Sequence, residues 1–129
     1  MAEGASTATI NGFLDAMWGG SSYGGNAAVW IQLHTAAPGA AGTTAIAGNS
    51  TRQQVTTFAG ASTAAKASSA AATWTSVSTA ETYSKFSSWS ASTAGTFICS
   101  GSVTASAVAI GDTFAIPSGS LTTSMTAAS

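Results

Sequence analysis

The stretch Val29-Trp30-Ile31-Gln32-Leu33-His34 decides the fold class. Val29, Ile31 and Leu33 alternate with Trp30, Gln32 and His34, so the apolar period is two residues. That is the period of a β-strand with an aliphatic inner face. Trp30 is out of phase with the aliphatic residues and faces away from the main core. Its expected contacts are an N-terminal helix, a neighbouring subunit or a ligand.

Upstream the period is different. Ile10, Phe13, Leu14, Met17 and Trp18 fall at i, i+3, i+4, i+7 and i+8, which makes one apolar stripe on a helix of about residues 7–19. Ser6 or Thr7 can cap its start, and Gly19-Gly20 ends it. Gly12 interrupts the pattern with a weak helix former. A helix this short is marginal alone in water, so the stripe is expected to lie on a sheet.

Downstream, Thr35 to Ser50 reads as a long Ala- and Gly-rich loop turning at Pro38-Gly39. A second strand is expected over Arg52 to Phe58, with Val55 pointing inward. Residues 59–72 are mostly Ala and Ser and fit either a short helix or an extended run. Further strands are expected near 72–77, 82–89, 95–99, 102–110, 112–116 and 121–126. Gly95, Gly101, Gly111, Pro117 and Gly119 punctuate them. Short strands at such spacing indicate a mainly β, single β-sandwich or jelly-roll-like domain with a short N-terminal α-helix. Residues 1–129 are expected to form one domain, with about 27–126 in the sandwich.

Composition narrows the function. Charged residues make up 5% of the chain, against about 25% in ordinary domains. The apolar fraction of 45% and the four tryptophans argue for a folded chain rather than a disordered one. The surface is therefore built from Ser, Thr, Ala, Gln and Asn. With little charge repulsion between copies, it suits a protein that lives against neighbours. Drift in a GC-rich genome would enrich the same small residues. A net charge of -1 without a basic patch argues against nucleic acid and against an anionic membrane surface as partners. No window approaches the roughly 18 apolar residues of a membrane span. Met1-Ala2-Glu3-Gly4 has neither the basic start nor the apolar stretch of a signal peptide. The expectation is synthesis in a cytoplasm.

The inventory for chemistry is nearly empty. One histidine and one cysteine supply too few ligands for zinc. Cys99 reads as a small buried hydrophobe. His34 lacks a marked nucleophile, since there is no G-x-S-x-G elbow. The four acids Glu3, Asp15, Glu81 and Asp112 are scattered, whereas glycoside hydrolysis needs a converging pair. Asp112 after Gly111 has the composition of a turn. No glycine pattern suits a nucleotide. No enzyme, catalytic residue, metal or cofactor is expected. Trp30, Trp74 and Trp89 offer one alternative, a sugar-binding face, with Trp74 and Trp89 more at home in the core.

The segments Ile31-Gln32-Leu33-His34-Thr35-Ala36-Ala37-Pro38-Gly39 and Gly48-Asn49-Ser50-Thr51-Arg52-Gln53 resemble a pattern found in small phage virion structural proteins. The likeness continues through Phe86 to Trp89, Gly95-Thr96-Phe97 and the run Gly111 to Gly119. It covers about residues 10–126. Such proteins, of actinobacteriophage type among others, are tail-fibre-like, minor tail or capsid decoration proteins. The loop departs from the pattern at Ala37, where an Asp is usual, and no catalytic residues carry over. The resemblance implies a non-enzymatic virion structural protein, with capsid decoration on the head surface as first expectation. A tail-fibre-like or minor tail role and a carbohydrate-binding host-contact module are the alternatives. The implied partners are copies of itself, as a homo-oligomer and by symmetry a trimer, and phage major capsid or tail proteins. Trp18, Trp30, His34, Pro38 and Arg52 are the candidate structural or interface residues. His34 is expected to donate to a loop carbonyl and pin the Pro38 turn. Arg52 is expected to pair with Asp15 or Glu81, or with a carboxylate on a neighbouring protein.

Overall fold

A computed structural model describes residues 3–20, 22, 24–26 and 28–125. It is mainly β with one short N-terminal helix and antiparallel sheets, consistent with a β-sandwich. The helix α1 runs Thr7–Trp18. The strands are β1 (Val29–His34), β2 (Gln53–Val55), β3 (Ala65–Ala67), β4 (Ala72–Trp74), β5 (Glu81–Trp89), β6 (Phe97–Val108), β7 (Phe114–Ile116) and β8 (Thr122–Ser124). Four strands form one sheet in the order β2-β1-β5-β6, and the pairs β3-β8 and β4-β7 form two smaller ones.

The alternation in β1 sorts its residues onto two faces, as the period of two requires. Ile31 and Leu33 face the apolar core with Val55, Ala72, Trp74, Val77, Tyr83, Ile116 and Leu121. The β4-β7 pair covers this side. Phe114 packs against Tyr83 edge-on at 5.0 Å between ring centres and against Trp74 at 5.9 Å. The opposite face of β1 is also covered, since Gln32 and His34 are buried along with Ile31 and Leu33. A strand covered on both faces belongs to the middle of a fold, and β1 is an inner strand of its sheet.

Two expectations need correction. Gly101 was expected to break the chain into two strands, yet β6 continues through it for 12 residues. Gly101 stands opposite Phe86 on β5. A Cβ at that position would lie 2.8 Å from the Phe86 ring, so the missing side chain makes room for an aromatic neighbour rather than a turn. The second correction concerns α1. Ser6 caps it by accepting a hydrogen bond from the Thr9 amide at 3.2 Å, and the Gly19 amide closes it on the Asp15 carbonyl at 2.8 Å. The residues before the helix lie along β6, with Ser6 N donating to Ile98 O and Ser100 N donating to Gly4 O. These bonds tie the helix beside the sheet edge without laying its stripe on the sheet. No residue of α1 is buried, and Trp18 is 83% exposed.

The strand expected over 52–58 shortens to β2, and that near 121–126 becomes β8, with residue 126 outside the described residues. The open question over 59–72 resolves as a turn followed by β3. Thr63 and Ala64 take left-handed backbone angles of 49° and 57° there, which excludes a helix.

This division between core and stripe is measurable by chemical denaturation of dilute protein. Leu33→Ala, at a fully buried core position, is expected to cost about 2–5 kcal/mol. Leu14→Ala, on the uncovered stripe, is expected to stay within about 0.5 kcal/mol of the parent.

Candidate functional site

The second face of the main sheet concentrates the polar side chains that the sequence singled out. Antiparallel pairing sets Trp30 opposite Trp89, Gln32 opposite Ser87 and His34 opposite Lys85. Within this face lies one hydrogen-bond chain. Trp89 Nε1 donates to Ser87 Oγ at 2.8 Å. Ser87 Oγ lies 2.7 Å from His34 Nε2, and His34 Nδ1 lies 2.8 Å from the Thr44 carbonyl. The proton positions follow from the ends of the chain. An indole only donates and a carbonyl only accepts. His34 therefore carries its proton on Nδ1, and Ser87 donates to the bare Nε2.

His34 and Ser87 are both fully buried. The pair has the atoms of a nucleophile and its base, yet both side chains are enclosed, and their hydrogen bonds hold a loop and an indole in place. The loop carbonyl that His34 holds is that of Thr44, whose amide in turn donates to Pro38 O at 2.9 Å. Pro38 is itself buried. The histidine thus ties the whole 38–44 loop down onto the sheet. Gly42 completes the closure. It sits at φ 72°, and a Cβ there would lie 2.6 Å from Phe97, whose ring packs on Trp89 at 5.4 Å.

Arg52 lies next to this chain. Its guanidinium carbon is 3.9 Å from the centre of the Trp89 ring. Nη1 donates to the carbonyls of Ala91 at 2.9 Å and Ala94 at 2.7 Å, and Nε donates to Gln32 Oε1 at 3.3 Å. The expected pairing with Asp15 or Glu81 is not formed. Glu81 instead accepts from the amides of Gly48 and Asn49 at 3.0 and 3.3 Å. The ion pair among the described residues joins Lys85 to Glu3. Burial pushes the Arg52 guanidinium below its ordinary pKa, the expected sign for a cation that loses water without gaining an anion.

Arg52 also lines an open cleft of about 440 Å³, together with Gln32, Ser50, Thr51, Ser92, Thr93 and Ala94. Trp30, half-buried, stands two residues from Gln32 on the same face of β1. It lies two strands in from β6, the strand beside which α1 is tethered. Trp74 lies in the core and donates from Nε1 to Thr51 O at 2.7 Å. Cys99 is half-buried, with Sγ 3.0 Å from Ser88 Oγ, rather than enclosed as a core hydrophobe. Asp112 closes a turn by accepting from the Ala109 amide at 2.9 Å. Among the described residues no group of three His, Cys, Asp or Glu side chains converges to hold a metal ion. No described helix is long and apolar enough to cross a membrane.

A family model described as the podophage GP4 fiber I protein gp80 matches residues 4–124. The chain belongs to that family. No curated protein matches it. Family membership makes the chain a phage structural protein associated with the virion, and it narrows the resemblance drawn from the Leu33-His34-Thr35 and Pro38-Gly39 motifs to a fibre family. The actinobacteriophage and capsid decoration labels have no counterpart in that match.

Sequence reasoning missed three parts of this face. Ser87 and Thr44 are unremarkable in a chain rich in Ser and Thr, and the carbonyls of Ala91 and Ala94 leave no mark in any sequence. Only their convergence on His34 and Arg52 gives them a role.

The buried chain makes stability depend on pH. Burial lowers the pKa of His34 from its ordinary value of 6.5, against the raising effect of the Thr44 and Ala45 carbonyls. As pH falls below that value, the unfolded chain takes up the proton first and the folded state loses ground. Thermal melts are expected to be flat above about pH 6.5, as far as His34 is concerned, and to drop progressively below it. Ser87→Ala leaves Trp89 Nε1 and His34 Nε2 without partners and is expected to cost about 1–3 kcal/mol.

Proposed function

We propose that the chain is a structural subunit of a phage fibre, with a mechanical rather than a catalytic role, and that it is held in place by contacts with copies of itself and with tail proteins. The family match carries the reading, because it spans residues 4–124 and names a fibre protein. Capsid decoration, the first expectation from the resemblance, has no counterpart in the family match, and the sparsely charged surface suits any tightly packed assembly equally well.

The exposed stripe of α1 supports self-association. Ile10, Phe13, Leu14, Met17 and Trp18 all stand exposed in the isolated chain. Contiguous apolar surface of this kind marks an interaction site in a soluble protein. The helix carries one charge, Asp15, so packing it against a second copy buries little that must stay hydrated. Closed symmetry is the usual form of such contacts, and a trimer is the simplest that suits a fibre axis.

Two experiments test the reading. Immunogold labelling of intact virions with antibody to this chain is expected to decorate the tail region, and label spread evenly over the head would replace the fibre reading with decoration. Mass photometry is expected to show trimers that become monomers in a Leu14→Gln, Met17→Gln double variant. Because both side chains are exposed, that variant is expected to keep the parent circular dichroism spectrum.

A further inference from the structure

The cleft beside Arg52 is built rather than incidental. One wall is residues 50–51 and the other is residues 92–94. The first is fixed from below, where Gln32 Nε2 donates to Ser50 O at 3.1 Å and Trp74 Nε1 donates to Thr51 O. The second is fixed by Arg52 Nη1 through the Ala91 and Ala94 carbonyls. Ala94 is held at φ 52°, a left-handed angle that a residue with a Cβ rarely adopts. Gln32, only 5% exposed, has both ends of its amide engaged and so fixes the guanidinium plane. Trp89 supports that plane from one side.

This leaves a positive charge with unused capacity. Nε and Nη1 are occupied by uncharged acceptors, while Nη2 makes no hydrogen bond among the described residues. No carboxylate among those residues pairs with Arg52. Arg52, which lines the cleft, is thus a cation with a free donor pair, and Ser50, Thr51, Ser92 and Thr93 line the cleft with it.

From this geometry we infer that the cleft binds a carboxylate-bearing sugar residue, a uronate of an acidic polysaccharide. Three observations select that class. A single guanidinium balances the one negative charge of a carboxylate, and a charge-assisted hydrogen bond to it is roughly twice as strong as a neutral one. The volume lies within the range of small-ligand sites, wide enough for one sugar ring. The lining residues Gln32, Ser50, Thr51, Ser92 and Thr93 bring hydroxyl and amide groups suited to ring hydroxyls, and the carbon atoms of the same lining suit the C–H faces of a sugar ring. The sugar carboxylate accepts from Nη2, and the rim hydroxyls complete its hydrogen bonds. One such contact is weak, and repetition along an assembly multiplies it. The site belongs to the folded chain itself and does not depend on where in the particle the chain sits.

The test is a titration of the full chain, ¹⁵N-labelled, followed by amide shifts. The probes are trigalacturonate, neutral trigalactose, acetate, inorganic phosphate and a tripeptide with a free C-terminal carboxylate. Trigalacturonate is expected to give saturable shifts at Gln32, Thr51 and Thr93, with every other probe at least tenfold weaker. Thr93→Glu places a competing carboxylate in the cleft and leaves the Arg52 clamp on the Ala91 and Ala94 carbonyls in place. It is expected to weaken trigalacturonate binding at least tenfold with the melting curve retained. Arg52→Gln is expected to abolish binding, and Thr93→Glu keeps the test valid should Arg52→Gln loosen the turn. Absence of saturable shifts with trigalacturonate overturns the inference. So does equal binding of trigalactose or acetate, tighter binding of phosphate or of the tripeptide, or an unchanged affinity in Thr93→Glu.

Discussion

The hydrogen-bond chain from Trp89 through Ser87 and His34 to the Thr44 carbonyl fixes how β1 and β5 meet, and much of the second face depends on it. Slipping the pairing by one residue would turn Ser87 towards the apolar core and leave two buried ring nitrogens without partners. With the register fixed, Trp89 is held in place as a platform, Arg52 lies over it, and the 91–94 turn hangs from Arg52. The 38–44 loop is drawn in from the other end by the same histidine. A short buried polar network thus supplies the specificity that the aliphatic face alone would leave loose.

The few charges of this chain act mostly as clamps on backbone. Arg52 holds two carbonyls, Lys66 holds the Ala59 carbonyl at 2.8 Å, Glu81 holds two amides and Asp112 closes its own turn. Charge-assisted bonds to backbone are stronger than neutral ones, so each charge stabilises a loop that small side chains could not order by packing. Beyond these, the described surface carries only the Lys85–Glu3 pair and Asp15 on α1. A chain with 5% charged residues thus keeps its loops shaped while its exterior carries few charges.

What could be read in the sequence follows from which signals are local. The alternation in Val29 to His34 and the stripe from Ile10 to Trp18 gave β1 and α1 with nearly their observed bounds, because each periodicity is written within one element. Gly101 misled because glycine in a strand has two meanings, and only the Phe86 ring across the ladder separates them. Residues 59–72 have side chains too small to show any period. The stripe of α1 was legible, but its lack of cover was not, since an apolar face says nothing of what lies on it. The cleft was the least legible part. Arg52 stood out as the only arginine, and the sequence suggested a carboxylate partner because carboxylates are visible in a sequence and carbonyls are not.

The most direct test of this account is the tautomer of His34, read from long-range ¹H–¹⁵N correlations of its ring at neutral pH. The account predicts a neutral ring with the proton on Nδ1 and a bare Nε2, held in one state by the Thr44 carbonyl and the Ser87 hydroxyl. A proton on Nε2, or a ring averaging between tautomers as in free imidazole, would contradict the buried chain and with it the register and the platform beneath Arg52.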